Sequence, residues 1–176
     1  MPKLRRMRNL VLVGFMGSGK TAAGQRAADR LGLGFIDMDR LIEHRHQRTI
    51  SDMFAHEGEA HFRKLERQLV RELTAQQGKV IATGGGVVLD PENIRDFSRA
   101  GVVVCCWVDA RTAHERTRHA NHRPLLEAEP DRLAQIEKLL RQREPLYRAI
   151  PLQLDTSFLS VEQQADELVR IYRENS

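Results

Sequence analysis

Aromatic residues are scarce in this chain: six Phe, two Tyr and one Trp make up 5% of its 176 residues. With so few rings, a nucleic-acid platform that interleaves stacking aromatics with basic residues is not expected. Long hydrophobic runs are lacking too. The longest clean run, Val102 to Val108, is far short of the roughly 20 residues that span a bilayer, so no membrane partner is expected. Cysteine is limited to Cys105 and Cys106. Neighbouring strand positions point to opposite faces, so a bridge between the two would be strained; they read as reduced core residues, with a reactive pair as the other reading. Acidic charge is in deficit, with 28 Lys and Arg against 24 Asp and Glu and a net charge of +4. Of those 28 basic residues, 23 are arginine. Arginine's planar fork suits carboxylates and phosphates, which points to an anionic small substrate; arginine-rich codon usage would give the same excess.

Against these shortages stands one complete motif. Residues 14 to 21 read Gly14-Phe15-Met16-Gly17-Ser18-Gly19-Lys20-Thr21, a phosphate-binding loop of the form G-x-x-x-x-G-K-[ST]. The glycines let successive backbone N–H groups turn inward onto a phosphate chain, Lys20 reaches the β- and γ-phosphates, and the Thr21 hydroxyl ligates Mg²⁺. The apolar run Asn9 to Val13 precedes it, and Ala22, Ala23, Ala27, Ala28 and Leu31 follow at helical spacing. Strand, loop and helix are the context the motif requires, and the helix adds the positive end of its dipole. A nucleoside triphosphate is the expected ligand.

The length suits one domain over residues 1–176. Short apolar runs predict strands at Leu10–Val13, Gly34–Ile36, Val80–Ala82, Val102–Val108 and Leu152–Leu154. Amphipathic segments predict helices at Lys20–Leu31, Arg40–Gln47, Ser51–His56, Glu59–Gln76, Pro91–Phe97, Thr112–Arg118, Arg132–Tyr147 and Val161–Arg173. Asp90 before Pro91 is a helix start, and Ser160 with Gln163 is a capping box. Leu133, Ile136, Leu139, Leu140 and Leu146 make an apolar stripe and are expected in the core, with Pro145 ending that helix. This alternation implies an α/β fold with a parallel sheet covered on both faces and ligands at the carboxyl ends of its strands. The basic residues Lys3, Arg5, Arg6 and Arg8 read as a tail before the first strand of a cytoplasmic protein, because the apolar stretch after them runs directly into the phosphate loop. Residues 118 to 130 lack a period and suit either a lid or an ordinary surface loop.

Several polar positions gather around the loop. Asp37 and Asp39 end the second strand, where residues two apart project together: one carboxylate can hold Mg²⁺ and the other orient a substrate hydroxyl. Thr83-Gly84-Gly85-Gly86 ends the third. Three glycines together are entropically expensive and make sense where backbone approaches a ligand closely. No acidic residue stands at that strand end, so the metal must rely on Thr21 and the Asp37 region. Arg63, Arg123 and Arg143 are candidate anion partners, although Arg63 can equally pair with Glu59 or Glu66 on its own helix. The histidines at 44, 46, 56, 61 and 114 show no metal-binding spacing.

Taken in order, Gly14–Thr21, Asp37-Met38-Asp39, Gly58-Glu59 with Phe62-Arg63, Gly84–Gly86, Arg123-Pro124-Leu125-Leu126 and Arg143-Glu144-Pro145-Leu146-Tyr147 resemble the shikimate kinases over about residues 8 to 155. The resemblance implies a three-layer α/β/α fold with a five-stranded parallel sheet, like that of nucleoside monophosphate kinases. It implies ATP-dependent phosphorylation of the shikimate 3-hydroxyl in aromatic amino-acid biosynthesis. It further implies that Asp39, Arg63, Gly85, Gly86 and Arg143 hold shikimate, and that Lys20, Asp39 and Arg123 are catalytic. Gly14, Gly17, Ser18, Gly19, Lys20, Thr21, Arg116 and Arg123 would bind ATP, with Arg116 stacking on adenine. Thr21 and Asp37 would hold Mg²⁺, residues 117–130 would form the lid, and residues 38–66 the substrate-binding helices of a monomer. Ala22 departs from the family's frequent second hydroxyl, and Thr156-Ser157-Phe158 lacks a proline-containing adenine contact. Rival readings are a kinase of another small acid such as gluconate, and a catalytically silent nucleotide-binding regulator.

Overall fold

Along the first strand, β1 (Asn9–Val13), every residue is buried. Leu10 and Leu12 turn to one face while Val11 and Val13 turn to the other. A strand apolar on both faces belongs in the middle of a parallel sheet with helices on either side. In the computed structural model, which describes residues 7–119, 125 and 131–176, that is its place. The sheet order is β2-β3-β1-β4-β5, with β2 at Gly34–Asp37, β3 at Lys79–Ala82, β4 at Gly101–Trp107 and β5 at Leu152–Asp155. All pairings are parallel, with Leu10 beside Val80 on one side and Val102 on the other.

One face is covered by α1 (Lys20–Leu31) and α8 (Val161–Asn175), whose Ala23, Ala27, Ala28 and Leu168 meet Leu10, Leu12, Val80 and Val104. The other carries α2 (Met38–His46), α3 (Ile50–Glu57), α4 (Glu59–Thr74), α5 (Pro91–Ala100), α6 (Ala110–Thr117) and α7 (Arg132–Arg148). Cys105 lies in that second core and Cys106 in the first, so the two thiols face opposite ways. Burial pushes them up to about 11 and about 12, far from thiolate chemistry.

The expected boundaries are met within three residues, and the caps explain why. Asp90 accepts from Glu92 N ahead of Pro91, and Ser160 and Gln163 form the reciprocal box. Three expectations need correction. Asp37 and Asp39 do not leave one strand side by side: Asp37 ends β2 and caps α2 by accepting from Arg40 N, while Asp39 lies in the first helical turn. Pro145 does not end α7, which continues to Arg148; Ala149 N donates to Pro145 O (3.1 Å), and fully buried Tyr147 anchors the final turn. Leu146 is 41% exposed, because the buried stripe runs through Ile136, Leu140, Arg143 and Tyr147.

Candidate active site

The phosphate loop links β1 to α1 at the carboxyl edge of the sheet. Three of its glycines hold positive φ: Gly14 at 153°, Gly17 at 78° and Gly19 at 85°. Side chains rarely adopt such angles, which is the physical reason for glycine here. A Cβ on Gly19 would also strike the Gln164 side chain of α8. Ser18 is fully buried. The Lys20 ammonium folds along the loop, donating to Gly14 O (2.7 Å), Phe15 O (3.0 Å) and Ser18 Oγ (3.2 Å).

Thr21 Oγ1 donates to Asp37 Oδ2 at 2.7 Å. This places a hydroxyl and a carboxylate together on the cleft lined by Gly17, Gly19, Lys20, Thr21, Asp37, Asp39, Thr83 and Arg116. Mg²⁺ takes few protein oxygens and completes its octahedron with phosphate and water, so the pair fits this metal. Among the described residues no group of three His, Cys, Asp or Glu could hold a metal by itself. Arg116 reaches from α6 to Gly17 O (3.2 Å) and Thr156 O (2.7 Å), closing one rim of the cleft. Trp107 is covered by the Arg148 guanidinium 3.9 Å from its ring centre, and its carbonyl accepts from Thr156.

A second pocket adjoins the first. Met16, Asp39, Ile50 and Gly85 line both, so the wall between them is thin and polar at Asp39. Phe54, Phe62 and Leu125 form its apolar side; Arg63, Glu66, Gly84, Gly86 and Arg143 form the rest. Arg143 is buried. Arg63 is held by Glu59 (3.0 Å) and Glu66 (2.9 Å) on its own helix. Burial alone would lower Arg63's affinity for its proton, but the two carboxylates outweigh it and raise the value.

The glycines of this pocket serve a different end. None of Gly84, Gly85 and Gly86 has positive φ. A Cβ on Gly84 would stand 2.6 Å from Asp39 Oδ1, and one on Gly86 would fall onto the Arg63 guanidinium. Gly85 is the middle case: a Cβ would make ordinary contact with Arg143 Nη1 (3.5 Å) and Met16 N (3.6 Å). Behind it, the Tyr147 hydroxyl donates to Gly85 O at 2.6 Å. Burial pushes that phenol up to about 12, so it remains a donor across the physiological range.

The expected site residues Asp39, Arg63, Gly85, Gly86 and Arg143 thus meet at one pocket, and Gly17, Gly19, Lys20, Thr21, Asp37 and Arg116 at the other. Arg123, with most of the segment 117–130, lies outside the described residues. Glu66 as a pocket residue, and Tyr147 as the support of the Gly85 carbonyl behind the pocket, are not read from the sequence. A signal existed for Glu66: it occupies the core stripe Phe62, Glu66, Leu69, Leu73 of α4, where only apolar residues belong.

The surroundings match known proteins closely. A sequence model of the family described as Shikimate kinase matches residues 16–173. A shikimate kinase of Thermodesulfovibrio yellowstonii is 39% identical over 167 residues, 94% of this chain and 95% of its own length. One of Aromatoleum aromaticum is 47% identical over 141 residues, 80% of each chain. The shikimate kinase of Acinetobacter baumannii, solved in complex with shikimate, superposes with a TM-score of 0.91 at 33% identity, covering 97% of this chain and 95% of its own. A gluconokinase of Sinorhizobium meliloti shares the fold at a TM-score of 0.60 and 14% identity. The paired pockets, the loop from Gly14 to Thr21 and these relatives lead to one conclusion: the chain belongs to the shikimate kinase family.

Proposed function

We propose that this protein transfers the γ-phosphoryl group of ATP to the 3-hydroxyl of shikimate, yielding shikimate 3-phosphate on the route to chorismate and the aromatic amino acids. The observation that carries this reading is the shared wall: Asp39 and Gly85 border both the phosphate cleft and the pocket that holds Arg63 and Arg143. A cyclic carboxylic acid gripped by the two arginines presents its hydroxyl toward that wall, with its apolar ring edge against Phe54 and Phe62.

Each residue then has a physical task. The N–H groups of Gly17 to Thr21 and the dipole of α1 bind the triphosphate. Lys20 exchanges its loop carbonyls for phosphate oxygens and neutralises charge on the transferring group. Asp39 accepts the hydrogen bond of the attacking hydroxyl and orients it in line with the γ-phosphorus. Arg63 and Arg143 fix the carboxylate, converting a bimolecular encounter into a positioned one. Thr21 and Asp37 hold Mg²⁺, which supplies charge neutralisation on the phosphates when bound. Arg116 borders the adenine end, and Arg123 contributes a further cation to the phosphoryl group. Residues 1–176 act as a single kinase domain, with 117–130 as its lid and the helices of 38–66 as its substrate-binding part. Only four large apolar side chains are exposed among the described residues, Met7, Leu89, Leu146 and Phe158, which suits a monomer. No helix among those residues is long and apolar enough to cross a membrane. A cytoplasmic location, where ATP is available, suits this role.

The test is an ADP-release assay with ATP and, in separate reactions, shikimate and gluconate. Turnover with shikimate and little with gluconate is expected. Turnover with gluconate alone would overturn the substrate assignment, and none with either would favour a silent nucleotide-binding regulator.

A further inference from the structure

Glu66 is a carboxylate where the helix calls for a core residue, and only 1% of it is exposed. Its surroundings leave its charge poorly compensated. From its own helix, Arg63 donates to both of its oxygens (2.9 and 3.1 Å), but that guanidinium is shared with Glu59. From α2, Asp39 brings a like charge: Asp39 Oδ1 and Glu66 Oε2 stand 2.6 and 3.2 Å from the one point above Gly84 where a Cβ would be. From α7 comes the cation Arg143, whose charge opposes the rise of the Glu66 value less than that of Arg63. α3 turns Phe54 and Ile50 toward the pocket, while its Asp52, His56 and Glu57 are exposed. On the α5 side, Asp90, Glu92 and Asp96 are engaged by Arg67. Burial, opposed by Arg63 and reinforced by Asp39, pushes the Glu66 carboxyl up to about 7.

Arg63 and Arg143 therefore serve three carboxylates, Glu66 and Asp39 in the pocket lining and Glu59 outside it on Arg63. A substrate carboxylate docking on Arg63 and Arg143 makes four. It also competes with Glu66 for the same guanidinium, so the ionised form of Glu66 loses its partner as the substrate arrives.

We propose that Glu66 is the proton-linked counter-carboxylate of the substrate pocket: docking of an anionic substrate on Arg63 and Arg143 drives a proton from solvent onto Glu66 and releases Arg63 to the substrate. The proton forms an O–H bond on a Glu66 oxygen, and nothing is oxidised or reduced. The sign follows from linkage. The complex binds more protons than the free protein, so substrate affinity falls as pH rises through the free-protein value. If docking raises the Glu66 value by about one unit, affinity declines about tenfold from pH 6 to pH 9, and roughly half a proton is taken up between pH 7 and 8.

This inference rests on reading the pocket as the shikimate site, and the experiment separates the two. Shikimate is titrated calorimetrically into the full-length protein at pH 7.5 in buffers of different ionisation enthalpy. The expected result is binding with net proton uptake. It should disappear in Glu66→Gln, whose pH profile should be flat, and also with shikimate carboxamide bound to the unaltered protein. The carboxamide arm keeps the inference testable should Glu66→Gln fold poorly. Tight binding with no proton uptake, uptake that survives Glu66→Gln, or equal uptake with the carboxamide would overturn it. Failure of shikimate to bind at all would overturn the substrate reading itself.

Discussion

The phosphate cleft and the carboxylate pocket share a wall, yet they are built by opposite means. The cleft is local: eight consecutive residues supply its loop, and its glycines are there for backbone angles that other residues resist. The pocket draws its walls from α2, α3, α4, α7 and the turn after β3, and two of its three glycines are there for space. Gly84 makes room for Asp39 and Gly86 for Arg63. On the function proposed above, backbone dipoles would bind the ligand of the cleft and side-chain charges that of the pocket, where Arg63 already has Glu59 and Glu66 as partners that a substrate would displace. Two kinds of glycine therefore mark two kinds of site, and substitutions in the two regions should damage different kinetic parameters.

The largest effect is expected where the regions act together on the transferring group. Arg123→Ala should lower kcat by roughly 10²–10³-fold, the scale for removing one donor to developing charge, with far less change in shikimate affinity. Steady-state kinetics with both substrates varied would show it; an unchanged kcat would remove Arg123 from the chemical step. Next comes Arg63→Ala, which should raise the shikimate KM roughly 10- to 100-fold, since charge-assisted hydrogen bonds carry about 1.5–3 kcal/mol. The KM for ATP should stay within about twofold. A normal shikimate KM would mean that the carboxylate is held elsewhere.

The two glycine types give a direct contrast. Gly19→Ala forces a side chain to φ 85°, a strain of about 1–2 kcal/mol, and should raise the ATP KM about tenfold. Gly86→Ala carries no such strain but displaces the Arg63 guanidinium, and should raise the shikimate KM by a similar factor with ATP little affected. If both variants changed the same substrate's KM, the division between cleft and pocket would fail. The smallest expected effect is that of Tyr147→Phe. Losing one hydrogen bond to Gly85 O, worth about 1 kcal/mol, should raise the shikimate KM about fivefold and leave the ATP KM unchanged. Equal losses for both substrates would instead indicate general loosening of the core.

This contrast also explains what could be read from the sequence. The five strands and most helix boundaries were legible because hydrophobic period and caps such as Asp90-Pro91 and Ser160 with Gln163 are local signals. The phosphate loop was legible for the same reason. The Asp37 and Asp39 carboxylates border the cleft, as the sequence suggests, but by a different geometry. The strand ends at Asp37, which caps α2, so Asp39 reaches the pocket from a helical turn. Leu146 was assigned to the core because it is apolar, whereas the buried positions belong to Arg143 and Tyr147. Arg143 on the stripe 136, 140, 143, 147 and Glu66 on the stripe 62, 66, 69, 73 are charged groups at core positions. Reading the helical period for its violations, as well as for its matches, finds both. No local signal reveals that Tyr147 bonds the Gly85 carbonyl, because that contact joins residues 62 positions apart.

The central claim is that Arg63 and Arg143 hold a substrate carboxylate so that the hydroxyl meets the phosphate cleft at Asp39. The most direct measurement is a two-by-two comparison of kcat/KM for shikimate and its carboxamide, in the unaltered protein and in Arg143→Ala. The account predicts that the carboxamide is at least about a hundredfold poorer in the unaltered protein but only a few-fold poorer in the variant, because both changes remove the same interaction. An identical penalty in the two proteins would contradict it, since the carboxylate would then have no business with Arg143.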